Sequence, residues 1–210
     1  MDETILLWVN HHYNDFWDTA MPMLTYRFAW IPMYIALAYA VVRTLGWKRG
    51  MWFIVAIALT TLLADQISSS VIRPLAHRLR PANLDNPLSA VIHIVDGYRG
   101  GPYGMPSSHA ANTVGLLTLL TLRFRNKLLA LCMTAWMMMQ VYSRMYLGVH
   151  YPTDILVGAC IGLCSACLVY TLYYIYTHEK RTTLRHEAVP ELTLAATLAL
   201  IAVISAAAVW

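Results

Sequence analysis

The chain has 210 residues, of which 59% are hydrophobic and only 12% charged, with a mean hydropathy of +0.52. A soluble domain of this size carries about 25% charged residues, so this composition and the long apolar runs exclude a soluble protein and indicate an integral membrane one. The net charge of +4 is small and spread along the chain, which excludes nucleic acid as a partner.

Met1 to Ala20 interleaves Ile5, Leu6, Leu7, Trp8, Val9, Phe16 and Trp17 with Asp2, Glu3, His11, His12, Asp15 and Asp18. It is too polar to span and rich in interfacial aromatics, so residues 1–20 are expected to form an amphipathic helix on the membrane surface. Asp2 and Glu3 stand where a signal peptide needs positive charge, and no small-residue cleavage site follows. The pair His11–His12 has no acidic or thiol partner at fixed spacing, so an interfacial place suits it better than a metal.

Six spanning segments are expected: about Phe28–Leu45, Met51–Ile72, Ala110–Leu122, Leu128–Tyr142, Ile155–Tyr176 and Leu192–Trp210. The third and fourth fall short of the ~20 residues a span needs, so polar groups at their ends must sit at membrane depth, inside protein or around a cavity. The fold class that follows is all-α: a membrane bundle of about six transmembrane helices with an N-terminal interfacial helix, forming one domain over residues 1–210.

Arg43, Lys48, Arg49, Arg123, Arg125, Lys127, Lys180, Arg181 and Arg185 fall in the links after spans one, three and five. The positive-inside rule makes that face cytoplasmic. Both termini, the loop Pro74–Pro106 and the link Ser143–Pro152 then share the outer face. Asp65, Gln66, Ser68, Ser69 and Ser70 are polar residues within span two, expected to line the interior and brace Arg73. Gly158 and Gly162 form a GxxxG suited to close helix packing. Cys160, Cys164 and Cys167 share a helix face and read as small packing residues; with Cys132 they form neither a disulfide framework nor a metal-ligand pattern.

Three clusters carry the chemistry, and all lie on the outer face. In Arg73–Pro81, two arginines offer donor forks suited to one anion, although snorkelling to headgroups also explains them. In Pro106–His109, Ser107 and Ser108 precede an apolar helix, whose N-terminus is an anion cradle; His109 in its first turn can act as a general acid. The bland alternative there is an ordinary cap with an interfacial histidine. The preceding glycines Gly97, Gly100, Gly101 and Gly104 read as a flexible loop or as a lid over residues 97–105. In SRMYLGVHYPTD, Pro152 suits a first helical turn, so Asp154 lies within reach of His150 and can fix its tautomer. His150 is then a candidate nucleophile oriented by Asp154, and Arg144 a candidate anion holder.

The order R-x6-R-P, P-S-S-H and S-R-x5-H-x3-D, running from Arg73 to Asp154, resembles the three-part signature of the phosphatidic acid phosphatase type 2 superfamily, whose usual form is K-x6-R-P, P-S-G-H and S-R-x5-H-x3-D. Arg73 stands for the usual lysine and Ser108 for the usual glycine. The resemblance implies a hydrolase acting on lipid phosphate or diphosphate through a phosphohistidine. His150 would attack phosphorus, Asp154 orient it, and His109 protonate the leaving group and then activate water. Arg73, Arg80, Ser107, Ser108 and Arg144 would bind the phosphoryl oxygens. No metal and no other cofactor is expected, and the partners are the bilayer and a lipid substrate. The small bacterial members that the chain resembles place the site at the periplasmic face of the inner membrane and suggest undecaprenyl diphosphate, converted to undecaprenyl phosphate. Lipid A phosphatase, phosphatidylglycerophosphate phosphatase and lipid phosphotransferase are alternatives within the superfamily. A lipid-phosphate binder or flippase is the non-enzymatic one.

Overall fold

The computed structural model describes residues 1–186 and 188–209. They form an all-α bundle: α1 (Asp2–Asn10), α2 (Asp15–Thr25), α3 (Ile31–Leu45), α4 (Trp47–Gln66), α5 (Arg73–Ala76), α6 (Ser108–Arg123), α7 (Lys127–Tyr146), α8 (Pro152–Thr177) and α9 (Ala188–Ala207). Among the described residues there is no strand, only isolated bridges at Leu79–Tyr103 and Phe124–Thr182. Four helical stretches are long and apolar enough to cross a bilayer: Arg27–Leu45, Trp47–Ala76, Pro152–Thr177 and Ala188–Ala207. Most of their residues face outward, as lipid-facing helices require. The protein is therefore an integral membrane bundle. The shorter α6, with 16 residues, and the less apolar α7 occupy the third and fourth expected positions.

The amphipathic N-terminal segment forms two helices instead of one. Asn14 breaks it, because its side chain accepts from Trp17 N–H and caps α2. The first helix is anchored to protein: Asn10 Nδ2 donates to the carbonyls of His93 (3.0 Å) and Tyr146 (2.7 Å). The second runs on to Thr25, five residues past the expected end.

Helix α6 is clasped by α8 through small residues. A Cβ on Gly158 would stand 2.3 Å from Ser107 O, and one on Gly162 would stand 2.1 Å from Ala111 O. The backbones touch there, which is the packing expected of GxxxG. The expectation for the cysteines of the same helix is corrected: Cys160, Cys164 and Cys167 are exposed on its outer face, because the glycines already occupy the contact with α6. Trp30 and Trp136 meet edge to face at 5.8 Å in the main apolar cluster, beside Met33, Leu37 and Phe53.

The 30-residue span Trp47–Ala76 contains a π-helical turn at Ile67–Ile72, immediately before Arg73. Such a turn shifts the residues after it around the helix relative to those before it. The polar residues expected to line the interior fall on it or just before it. Of these only Ser68 is buried, and Asp65 attracts Arg73 electrostatically; Gln66 and Ser70 are exposed, against the expectation that they line the interior. The direct contacts of Arg73, however, lie on the segment leading into α6 and at its first residue.

Candidate active site

Four segments converge at one end of the bundle: the end of α2 with the α2–α3 link, the loop 77–107, the N-terminus of α6 and the link 147–151. The link turns back because Gly148, at φ +64°, ends α7 in the left-handed conformation that a glycine adopts without strain. Ala82 N–H then donates to Gly148 O at 2.9 Å, joining the loop to the link.

The N-termini of α6 and α8 stand side by side, tied by Ser107 N–H donating to Asp154 O at 2.9 Å. Ser107 is fully buried and caps α6 by accepting from Ala110 N–H. The first-turn amides of Ser108 and His109 have no intrahelical carbonyl to donate to, which leaves a positive helix end beside the link.

His150 is buried between Arg80 and Asp154. Its Nε2 lies 3.3 Å from Arg80 Nη1, which also donates to Val149 O at 3.1 Å. Arginine only donates, so Nε2 must accept, and the ring hydrogen sits on Nδ1. That Nδ1 faces Asp154 Oδ2 at 3.6 Å, longer than a hydrogen bond, and has no other partner. Asp154 is fully committed elsewhere: Oδ2 accepts from Tyr151 N–H at 2.9 Å and Oδ1 from Arg78 Nη1 at 2.9 Å. Burial first, then the charges of Arg80 and Arg144, hold the His150 imidazole well below the ordinary histidine range, so it is neutral.

Three arginines surround this histidine. Arg73 Nη2 donates to Pro106 O (2.9 Å) and Ser108 Oγ (2.7 Å). Arg144 Nη1 donates to Thr25 Oγ1 (2.7 Å) and Nη2 to the Tyr98 hydroxyl (3.1 Å). The Arg80 guanidinium is lowered to about 10, by burial first and then by repulsion from Arg144 and Arg73; it remains charged at neutral pH. Each of the three keeps a buried Nε without a protein partner. Mutually repelling cations with unpaired donors are the electrostatic complement of a phosphoryl group. His109 stands across from them, its Nε2 3.3 Å from Thr25 Oγ1. Because that hydroxyl already accepts from Arg144, its hydrogen is free to donate to the ring.

The glycine-rich loop is pinned. Arg80 N–H donates to Pro102 O (3.0 Å) and Gly104 N–H to Arg78 O (2.9 Å), and a Cβ on Gly104 would approach Asp154 Oδ2 to 3.0 Å. An open cavity of about 440 Å³ leads in beside His109 and Arg144, walled by Pro22, Tyr26, Arg27 and Tyr98. Among the described residues no three His, Cys, Asp or Glu side chains cluster as a metal site.

The structure thus brings together every residue singled out in the three motifs, and it adds four that the sequence did not single out. Arg78 sits inside the first motif and pairs with the buried carboxylate; its charge within R-x6-R was the available signal. Asp2 meets Arg78 and Thr153. Tyr98 lies in the glycine-rich stretch, where one aromatic carries no pattern. Thr25 ends an amphipathic helix, and nothing in its local sequence marks it.

Residues 49–178 match the PAP2 superfamily. The chain is 41% identical over 177 residues to a lipid A 4'-phosphatase of Bacteroides thetaiotaomicron, covering 84% of this chain and 79% of that protein. It is 31% identical over 173 residues to a lipid A 4'-phosphatase of Porphyromonas gingivalis, covering 82% and 73%. The crystal structure of Aquifex aeolicus LpxE shares the fold with a TM-score of 0.58 at 20% identity, over 81% of this chain and 94% of that one. A Bacillus subtilis transmembrane PAP2-type phosphatidylglycerolphosphate phosphatase does so with a TM-score of 0.58 at 19% identity, over 85% and 87%. With three motifs meeting at one buried histidine inside a membrane bundle, the chain belongs to the PAP2 superfamily as a membrane lipid phosphatase.

Proposed function

We propose that the protein removes a phosphate from lipid A, and specifically a sugar-linked phosphomonoester at the 4' position. The observation that carries this is the 41% identity to a lipid A 4'-phosphatase across 84% of the chain, which includes all three motifs. Undecaprenyl diphosphate, the first choice on sequence alone, rested on several arginines suiting a diphosphate. Those arginines serve a monoester equally, since Arg73 and Arg144 already spend donors on Ser108 and on Thr25 and Tyr98. The open cavity beside His109 supports a bulky headgroup more than a slender one.

In the proposed reaction the neutral His150 Nε2 attacks phosphorus, breaking the bond to the sugar oxygen. Burial first, then the charge of Arg144, holds His109 down to about 3, so the ring is neutral until the substrate's phosphate offsets the arginines. It then takes up a proton and delivers it to the leaving sugar oxygen, and water releases phosphate from the phosphohistidine. The imidazolium formed at His150 is stabilised by Asp154 as Nδ1–H closes on Oδ2. Arg73, Arg80 and Arg144, with the α6 amides, hold the three phosphoryl oxygens. The basic residues of the α3–α4, α6–α7 and α8–α9 links lie at the opposite end of the bundle, which supports an inner-membrane protein with its site and both termini facing the periplasm.

The test is phosphate release by the purified, reconstituted chain from lipid A, undecaprenyl diphosphate and phosphatidylglycerophosphate in parallel, with mass and fragmentation analysis of the product lipids. Lipid A lacking its 4'-phosphate is expected to be the dominant product. Faster release from either of the other two would overturn the substrate assignment.

A further inference from the structure

We infer that the protein carries a second anion site, for a phosphate group, at the end of the bundle remote from His150. Helix α6 connects the two ends: His109 lies in its first turn and Arg123 closes it, ~21 Å away at 1.5 Å per residue. Around Arg123 lies a polar cavity of about 430 Å³, lined by Arg49, Arg123, Lys180 and Arg181 with one carboxylate, Glu179. Four cations against one anion in a walled cavity attract a multiply charged anion.

The cavity is constructed by tertiary contacts. Glu179 bridges Arg49 Nε at 3.0 Å and Arg123 Nη2, so α4 and α6 are joined through the segment after α8. Arg123 Nη1 donates to Lys180 O at 2.8 Å, and Arg181 Nη2 to Thr121 O at 2.7 Å. Arg125 N–H donates to Thr182 O and Thr182 N–H to Arg123 O, which fixes that segment alongside the α6–α7 turn.

A second observation points to a ligand. Arg123 is 2% exposed, and its buried Nε makes no well-aligned hydrogen bond, although the Tyr173 hydroxyl lies beside the guanidinium. A guanidinium withdrawn from water with a donor unused is costly unless an acceptor completes it. The Lys180 ammonium also borders the cavity and is exposed, and among the described residues it forms no ion pair with a carboxylate. A phosphate offers enough acceptor oxygens for both, whether it belongs to a lipid headgroup or is free in solution.

The full-length protein in detergent would be titrated with phosphatidylglycerol and, separately, with inorganic phosphate, and bound equivalents counted by native mass spectrometry. The wild type is expected to take up an equivalent that Arg49→Gln/Lys180→Gln binds about thirtyfold more weakly, while hydrolysis by that variant is unchanged. Both substituted side chains are exposed, and an unshifted thermal midpoint would verify folding. Arg80→Gln should leave this equivalent in place, which separates it from anything held around His150. Loss with phosphatidylglycerol alone identifies a lipid headgroup, and loss with inorganic phosphate as well identifies a general phosphate site. Equal uptake of both ligands by wild type and the double variant would overturn the inference.

Discussion

Arg73 Nη2 donates to Ser108 Oγ at 2.7 Å, so the two positions at which this chain departs from the usual K-x6-R-P and P-S-G-H are in contact with each other. A lysine at 73 would present a point charge without a fork, and a glycine at 108 would offer no oxygen. The hydroxyl and Pro106 O hold Nη2, and in the proposed reaction Nη1 would bind a phosphoryl oxygen. The two departures are therefore one change, made at both ends of a hydrogen bond.

This predicts non-additivity. Ser108→Gly alone should lower kcat/KM about tenfold by freeing the Arg73 side chain, and Arg73→Lys alone should lower it more. The double variant, which restores the usual pair, should recover part of the loss, with a coupling of about 1 kcal/mol in a double-mutant cycle. Strictly additive losses would show that the contact does not matter to turnover.

Arg78 sets a second test, because it spans two carboxylates: Asp154 in the site and Asp2 at the chain's start. It also lies 3.9 Å over the Tyr151 ring. Arg78→Gln would leave Asp154 buried without its countercharge, expected to cost about 2–3 kcal/mol of stability and to reduce kcat more than 100-fold. Asp2→Asn removes only the partly exposed end of the relay, so its cost should stay below ~1 kcal/mol. Thermal midpoints in detergent and steady-state rates on one substrate check both, and equal effects of the two substitutions would refute the asymmetry.

Thr25 supplies the third. It accepts from Arg144 and faces His109, so Thr25→Val should uncouple a phosphate-binding group from the proton donor while filling the same volume. The expected loss is 10- to 100-fold in kcat, with Thr25→Ser close to wild type. By comparison, His150→Ala and His109→Ala should each cost at least about 10³ while the protein stays folded.

Thr25 also marks where the sequence stopped being informative. The motifs made the arginines, the histidines and Asp154 legible, because phosphate chemistry demands those residue types and because charge distribution placed them on one face. The limits of the long apolar helices were legible to within a few residues, and Pro152 and Asp154 do open α8 as its first turn suggested, but the break at Asn14 and the end of α2 at Thr25 were not. What patterns could not give was which residue touches which across the fold. Thr25 and Tyr98 reach Arg144 from 119 and 46 residues away. Nor does a helical wheel say which face of α8 turns inward when glycines and cysteines compete for it; close backbone approach selected the glycines and left the cysteines outside.

That selection yields the fourth prediction. Gly162→Ala puts a Cβ 2.1 Å from Ala111 O, and relief requires moving a backbone and no mere side-chain end. Helices α6 and α8 must separate, at a cost of roughly 3 kcal/mol or more, and the Ser107–Asp154 link between their N-termini should loosen with them. Cys164→Ala, on the opposite face, should stay within about 0.5 kcal/mol. Thermal unfolding of the two variants side by side decides the matter.

The last prediction concerns pH. His150 is held well below the ordinary histidine value of about 6.5, with burial the larger cause and Arg80 and Arg144 the next. A nucleophile must be unprotonated, and a lowered value means the neutral ring persists as pH falls from 7 through 6. The acid limb of kcat/KM assigned to His150 should therefore lie below 6.5. Arg80→Gln removes one repelling cation, so the ring protonates more easily and the limb should move upward, toward neutrality, even as the absolute rate falls. Comparing wild type and variant on one phosphomonoester cancels the substrate's own ionisation near pH 6. A limb that stays fixed, or moves downward, would show that Arg80 does not set the charge state of His150.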